Sequence, residues 1–177
     1  MTMVHTDGEF EVIHVQLAAA GLGLNICAAN EHVLEVECFI WTVKERACCI
    51  YNSVLFQKFQ ALLIKEMVTT CIFWLNMFPP HDGVSLMLSS RVLMAGFTLD
   101  YHQHCQLEIG AYIQTIEEHD NSMQSQTAGA IALCPTGNHQ GGYYFMSLTS
   151  SHRLTQNQWT TLPMPQDIID RVSILGQ

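Results

Sequence analysis

The chain has 177 residues and is 49% hydrophobic, enough to bury one moderate core, and its ordinary Pro, Gly and charged content argues against global disorder. With 7 Lys+Arg against 16 Asp+Glu, its formal net charge of −9 lacks the basic surface that DNA-binding proteins normally present. Seven Cys without a CxxC pair predict reduced intracellular thiols, and the absence of a signal-peptide pattern or a long apolar run predicts no secretion and no membrane span.

The first 30 residues predict a strand, a short helix and a second strand. Residues 5–10, HTDGEF, have the pattern of a strand end that runs into a turn. Residues 12–20 predict a short helix that stops near Gly21. The brief apolar run at 22–28 is typical of a buried strand.

A long helix is predicted over 36–51, within the stretch EHVLEVECFIWTVKERACCIY at 31–51. Two of its faces differ in character, because residues three, four and seven apart lie on one side of a helix. The predicted functional face carries Glu37, Trp41, Lys44 and Cys48. The predicted core face carries Val36, Ile40, Val43, Ala47 and Ile50.

A second helix is predicted over 58–77, after a connector at 54–57 and before Pro79 and Pro80. We expect it to pack against the first helix through side chains that recur at helical spacing. These are Leu63, Met67, Thr70, Cys71, Trp74 and Phe78. The following residues, 79–101, predict a linker with a short helix near 89–94.

From Gln106 onward, four or five short β-prone runs predict a small antiparallel barrel or curled sheet, closed by a helix over 167–175. TGNHQGG at 136–142 predicts a hairpin turn, since it lacks the GK[ST] ending of a phosphate-binding loop. A zinc site at His102, His104 and Cys105 is a weaker alternative, because no second ligand pair follows.

The helix segment EHVLEVECFIWTVKER resembles the catalytic helix of copia-type retrotransposon integrases, which reads EHVPE(I/V)ER-x-IR-x-VKER. IFWLNMFPPHDGVS, LSSRVLMAG, EEHDNSM, TAGAIALCPTGNHQGGYYF and WTTLPMP also match that polyprotein, in the same order and over nearly the whole chain. The resemblance implies an α+β fold. It would comprise the C-terminal part of an RNase H-like core with two long helices (1–80), a linker (81–105), and a small antiparallel β-barrel-like module with a terminal helix (106–177).

Integrases of this family hold two divalent metal ions, Mg²⁺ or Mn²⁺, with an Asp, Asp, Glu triad. The resemblance places Asp7, in TDGEF, at the second Asp position and Glu37 at the Glu position. Glu31 and Glu35 remain alternative metal-facing acids, and solvated acids at a helix start are the structural alternative. The first Asp matches no residue of this chain, so we expect the polypeptide to be inactive alone.

The resemblance also implies that Lys44 and Arg46 contact DNA phosphates, with element ends and target DNA as partners. It implies a nuclear location, and it leaves a homo-oligomer open as the state of assembly. At eight positions this chain carries a different residue where relatives carry Arg. A codon for each of these residues arises from a CGN arginine codon by one C-to-T or G-to-A change. The eight are Cys38, Trp41, Cys48, Gln126, Cys134, His152, Gln156 and Gln158. This pattern indicates mutational decay, and it keeps open a non-catalytic relic or a domesticated nucleic-acid- or protein-binding module. Restoring all eight would bring the charge from −9 to roughly −1.

Overall fold

The computed structural model describes residues 2–6, 8–26, 34–79, 81, 85–98, 100–116, 123 and 125–176. Asp7 and Glu31 lie outside these described residues. The chain divides into two compact units, Met1–Thr42 and Val43–Gln177, and each is described by itself. The fold is mixed α+β, as predicted.

The N-terminal unit contains a parallel strand pair joined by a helical connection. Strand β1 (Thr2–Thr6) pairs in parallel with β2 (Leu22–Ile26). Between them a 3-10 helix (Gly8–Ile13) continues into α1 (His14–Ala19). Parallel strands require a crossover of about a dozen residues or more, and this segment supplies it. The predicted order of strand, helix and strand is confirmed.

Helix α2 (Leu34–Ser53) confirms the predicted long helix and extends it by two residues at each end. The predicted core face is wrong for the first half of the helix, because Val36 and Ile40 are about half exposed while Val43 is buried. Phe39 and Trp41 in the same half are also exposed. Apolar side chains are therefore spread around this half of α2, and spacing alone could not identify one buried face.

The C-terminal unit contains a five-stranded antiparallel sheet in the order β6-β5-β4-β3-β7. Its strands are β3 (Tyr112–Ile116), β4 (Thr127–Pro135), β5 (Tyr143–Ser147), β6 (Arg153–Gln156) and β7 (Trp159–Thr161). The predicted run at 153–159 is therefore divided between two strands.

The sheet must curl, because its two edge strands are consecutive in the chain. Strands β6 and β7 are separated by residues 157 and 158 alone, yet they occupy opposite edges. A flat sheet would hold these edges about 19 Å apart, since neighbouring strands lie about 4.8 Å apart. The connection from Gln156 to Trp159 reaches at most about 11 Å. The predicted curled antiparallel sheet is confirmed.

Helix α3 (Ala61–Leu75) is shorter than the predicted 58–77, and it packs chiefly against β4. Leu63 and Met67 are buried in a core that also contains Ile131 and Leu133 of β4. Fully burying a side chain such as Leu63 stabilises the fold by about 1.5–3 kcal/mol. Helix α3 thus packs on the sheet of the C-terminal unit, and the predicted domains of 1–80, 81–105 and 106–177 stay a prediction.

Three further helices belong to the described part of this unit. The predicted closing helix is α6 (Gln166–Leu175), whose Val172 enters the same core. The predicted short helix is α4 (Ser90–Ala95), capped by the Ser89 hydroxyl, which accepts from the Val92 N–H at 3.3 Å. A one-turn helix, α5 (Tyr101–His104), precedes β3. Among the described helices, none is both long and apolar enough to cross a membrane.

The β4–β5 connection confirms the predicted hairpin turn at 136–142. Gly137 and Gly141 have φ values of 69° and 70°, a conformation that glycine adopts without strain. Arg91 donates from Nη2 to the Gly137 carbonyl at 2.6 Å. A Cβ at Gly137 would lie 2.8 Å from the Phe73 ring, so the close approach of α3 also requires glycine.

Candidate functional site

Helix α2 presents the predicted Glu37 carboxylate near its N-terminal end. The Glu37 side chain is exposed. The N-terminal end of a helix carries a partial positive charge, which stabilises a nearby carboxylate by about 0.3–1 kcal/mol. A carboxylate side chain is therefore favourable at this end of α2, whether or not a metal ion binds it.

The predicted functional face of α2 is exposed along its length. Trp41, Lys44 and Cys48 follow Glu37 by four, seven and eleven residues on one continuous helix, and all three are exposed. At about 100° per residue, these positions lie within roughly 60° of one another around the helix axis. The arrangement places an acid, an aromatic ring and one cation along a single stripe.

Arg46 does not belong to that stripe. It lies nine residues after Glu37, which corresponds to about half a turn from it around the helix axis. Its side chain lines a cleft with Cys49 and Ile50 on α2 and with Thr70, Cys71 and Trp74 from α3. The structure therefore separates the two predicted phosphate contacts, and of the two only Lys44 shares a face with Glu37.

The predicted metal site is described in part. Asp7 lies outside the described residues, although the strand that precedes it, β1, ends at Thr6. Within the described ranges, no three or more His, Cys, Asp or Glu side chains form a group that could hold a metal ion. The Glu37 carboxylate has the donor chemistry that Mg²⁺ prefers, but one carboxylate is only part of such a site. The magnesium assignment stays a prediction.

The zinc alternative at His102, His104 and Cys105 loses its central ligand. His104 is buried, and its Nδ1 lies 2.8 Å from the Asp100 carbonyl oxygen. Its Nε2 lies 2.9 Å from the Asn138 carbonyl oxygen. With both ring nitrogens engaged by backbone, His104 fastens α5 to the β4–β5 turn and has no nitrogen left for a metal.

A buried hydroxyl strengthens the same junction. Tyr143 on β5 donates its hydroxyl proton to the His104 carbonyl oxygen and accepts from the Gln106 N–H at 2.9 Å. Burial raises the pKa of Tyr143, so it remains a neutral donor. Tyr143 therefore acts in packing and in hydrogen bonding between α5 and the sheet.

A buried charged group that sequence reasoning missed links α3 to the sheet. Glu66 is 1% exposed, and its Oε1 accepts from Arg153 Nη1 at 3.1 Å while its Oε2 accepts from Cys134 Sγ at 3.5 Å. The Arg153 guanidinium lies 4.4 Å from the centroid of the Tyr144 ring. The sequence did contain a signal for this buried group. Glu66 lies three residues after Leu63, on the apolar face of the predicted 58–77 helix.

Burial and the neighbouring Glu66 carboxylate raise the pKa of Cys134 to about 12. A thiol with such a pKa is protonated at neutral pH and is a poor nucleophile. The Glu66, Cys134 and Arg153 group is therefore a structural link. Its geometry does not fit nucleophilic catalysis.

Two neighbouring clefts open in the C-terminal unit. The cleft between α2 and α3, of about 360 Å³, contains Arg46 and two thiols. The second, of about 640 Å³, shares Ile50, Thr70 and Trp74 with it and extends along residues 105–109.

No protein-family model and no curated protein matches this chain. Functional inference therefore rests on the residues themselves.

Proposed function

We propose that this chain is the C-terminal part of a copia-type retrotransposon integrase, a family that joins element DNA to host DNA. The observation that carries the proposal is the exposed Glu37 and Lys44 stripe on a 20-residue helix that follows a parallel strand–helix–strand unit. In an RNase H-like core the catalytic acids converge where parallel strands end. Asp7 follows the carboxyl end of β1 in the sequence, which is the position that this arrangement requires.

In this proposal each residue has a separate role. Asp7 and Glu37 ligate Mg²⁺ or Mn²⁺ through carboxylate oxygens. When bound, the ions would activate the attacking oxygen and stabilise the leaving one. Lys44 contacts a DNA phosphate on the Glu37 side of α2, and Arg46 acts from the opposite side. Because the first Asp of the triad matches no residue here, the 177-residue chain binds DNA but does not catalyse strand transfer alone.

Duplex DNA binding at increasing salt concentration tests the nucleic-acid role of α2. Each phosphate contact contributes about −0.9 to the slope of log affinity against log salt. The Lys44→Gln variant should therefore bind duplex DNA more weakly than the unchanged chain, with a slope about 0.9 less steep. Fluorescence anisotropy of a labelled duplex measures both quantities.

The matched control is Lys65→Gln, which removes an exposed cation from α3 and changes the net charge equally. It should leave the affinity and the slope close to those of the unchanged chain. Equal losses in the two variants would mean that net charge governs binding, and the assignment of Lys44 would be wrong.

The second candidate function is that of a non-catalytic relic or a domesticated binding module. The acidic net charge of the chain favours it. The net charge of −9, together with Trp41 and Cys48 on the functional stripe, opposes DNA binding. A chain that binds no duplex DNA even at low salt concentration would favour this second candidate over the first.

A further inference from the structure

The cleft between α2 and α3 brings together two cysteines that the proposed function does not use. Cys49 comes from α2 and is exposed, whereas Cys71 comes from α3 and is buried. Both side chains line the same cleft of about 360 Å³. Most of the remaining lining is apolar, from Ile50 and Trp74.

The other groups that line this cleft act on the Cys71 thiol. Burial raises the pKa of the Cys71 thiol, the Arg46 guanidinium lowers it, and the Cys49 thiol raises it again. Arg46 lines the same cleft as both cysteines.

We propose that Cys49 and Cys71 form an oxidisable thiol pair, which hydrogen peroxide converts into a disulfide that ties α2 to α3. The Cys49 thiolate attacks one peroxide oxygen, which forms a sulfenic acid and releases hydroxide. The Cys71 sulfur then attacks the Cys49 sulfur, and its proton leaves with the hydroxyl group as water. Two thiols are oxidised to one disulfide, and the peroxide is reduced to two waters.

The two sulfurs have different roles because one is exposed and the other is buried. Cys49 is exposed, so it meets the oxidant first, while burial protects Cys71 until the sulfenic acid has formed. Cys48 is also exposed, but it does not line the cleft. Cys105 lines the neighbouring cleft and is the competing partner for Cys49.

Tryptic mapping separates these possibilities, because the chain has only 7 Lys+Arg. Cys48 and Cys49 fall in fragment 47–58, and Cys71 falls alone in 66–91. Cys105 and the buried Cys134 both fall in 92–153. The whole chain is treated with hydrogen peroxide, its remaining thiols are alkylated, and the digest is analysed by mass spectrometry without reductant. We expect 47–58 joined to 66–91, with the bond lost on adding dithiothreitol.

Two variants assign the bond within fragment 47–58. Cys49→Ser should abolish the cross-link, and Cys48→Ser should leave it at the level of the unchanged chain. Both positions are exposed, so neither change disturbs the core, and circular dichroism verifies the fold. A non-reducing gel should show the oxidised protein as a monomer.

Three outcomes would overturn the proposal. The first is fragment 47–58 joined to 92–153, which would make Cys105 or Cys134 the partner instead of Cys71. The second is a cross-link that survives in Cys49→Ser, and the third is full alkylation of both fragments after peroxide treatment. None of these outcomes bears on the DNA-binding proposal, since no DNA is present in the experiment.

Discussion

At the scale of single residues, Glu66 is the side chain whose environment most constrains the C-terminal unit. Removing a carboxylate from water is costly, and the cost is offset only when hydrogen bonds and an opposite charge replace the lost hydration. Arg153 provides the charge, and Cys134 donates to the second oxygen. Because the three residues come from α3, β6 and β4, this contact fixes the helix on the sheet.

Replacing Arg153 with Met should destabilise the fold, because Glu66 would remain buried without its cation. We expect a loss of about 1.5–3 kcal/mol in the free energy of unfolding, the range for hydrogen bonds to charged groups. The Lys65→Met control removes an exposed cation and should change stability by less than about 0.5 kcal/mol. Urea denaturation near pH 7 measures the free energy of unfolding of the unchanged chain and of both variants.

The double variant, Glu66→Met with Arg153→Met, provides the test of mechanism. It should lose less stability than Arg153→Met alone, since no charge is left buried and unpaired. If the double variant loses as much stability as the single variants Arg153→Met and Glu66→Met lose together, Glu66 and Arg153 are not coupled, and the ion pair does not link α3 to the sheet.

The Cys134 thiol should make stability depend on alkaline pH. Its folded pKa of about 12 exceeds the ordinary value of 9.0, so the unfolded chain loses this proton at lower pH than the folded one does. The contribution of this protonated thiol to the free energy of unfolding is therefore complete below about pH 9. It is lost as pH rises towards 12, by up to about 1.4 kcal/mol per pH unit.

The matched measurement is urea denaturation of the unchanged chain and Cys134→Ala at several pH values. The stability difference between them should shrink as pH rises above 9.0, because the alanine variant has no thiol to titrate. A difference that stays constant up to about pH 11 would contradict the assigned environment of Cys134.

The hydrogen-bond partners of several buried side chains could not be predicted from the sequence, because some of them come from distant parts of the chain. The ring nitrogens of His104 meet carbonyl oxygens of Asp100 and Asn138, and the second partner lies 34 residues away in a turn. Spacing can suggest a ligand set, but it cannot show which backbone atoms occupy a side chain. Glu66 and Arg153 are 87 residues apart, so their pairing depends on the completed packing of α3 on the sheet.

At the scale of elements, helix periodicity predicted the existence and order of helices well and their burial less well. The predicted 36–51 helix lies inside α2, and the predicted apolar face of α3 is buried at Leu63 and Met67. Local spacing determines which residues share a face, but burial depends on what packs against that face. This is why Val36 and Ile40 were assigned to the core and are exposed.

Restoring arginine on the functional stripe of α2 should increase DNA affinity. The double variant Trp41→Arg with Cys48→Arg places two cations on the face that carries Lys44, where a guanidinium can contact phosphate oxygens. We expect tighter binding of duplex DNA and a salt slope steeper by about 1.8, equal to two further phosphate contacts. Both positions are exposed, so the fold should be unchanged.

The control for this variant adds equal charge elsewhere. Gln57→Arg with Thr160→Arg also introduces two exposed cations, one in the α2–α3 connection and one on β7. It should raise the affinity less, and the slope should change little. If both double variants bind DNA equally well, the stripe on α2 has no special role.

At the scale of the whole molecule, the sequence predicted an α+β chain with a curled antiparallel sheet, and the structure confirms this coarse description. The order β6-β5-β4-β3-β7 was not predictable, because the residues between β6 and β7 contain no signal that the sheet closes there. The integrase assignment depends on the order of several matching segments along the chain. One of the two carboxylates proposed to hold the metal ions, Asp7, lies outside the described residues.

Strand transfer tests the central claim most directly. The chain alone and the same chain preceded by a segment that supplies the first Asp are incubated with an oligonucleotide duplex and Mg²⁺. We predict no product from the chain alone and product from the extended protein, abolished by Glu37→Gln but not by Glu45→Gln, an exposed acid on another face of α2. Product formed by the chain alone, or by the extended Glu37→Gln protein, would contradict the account.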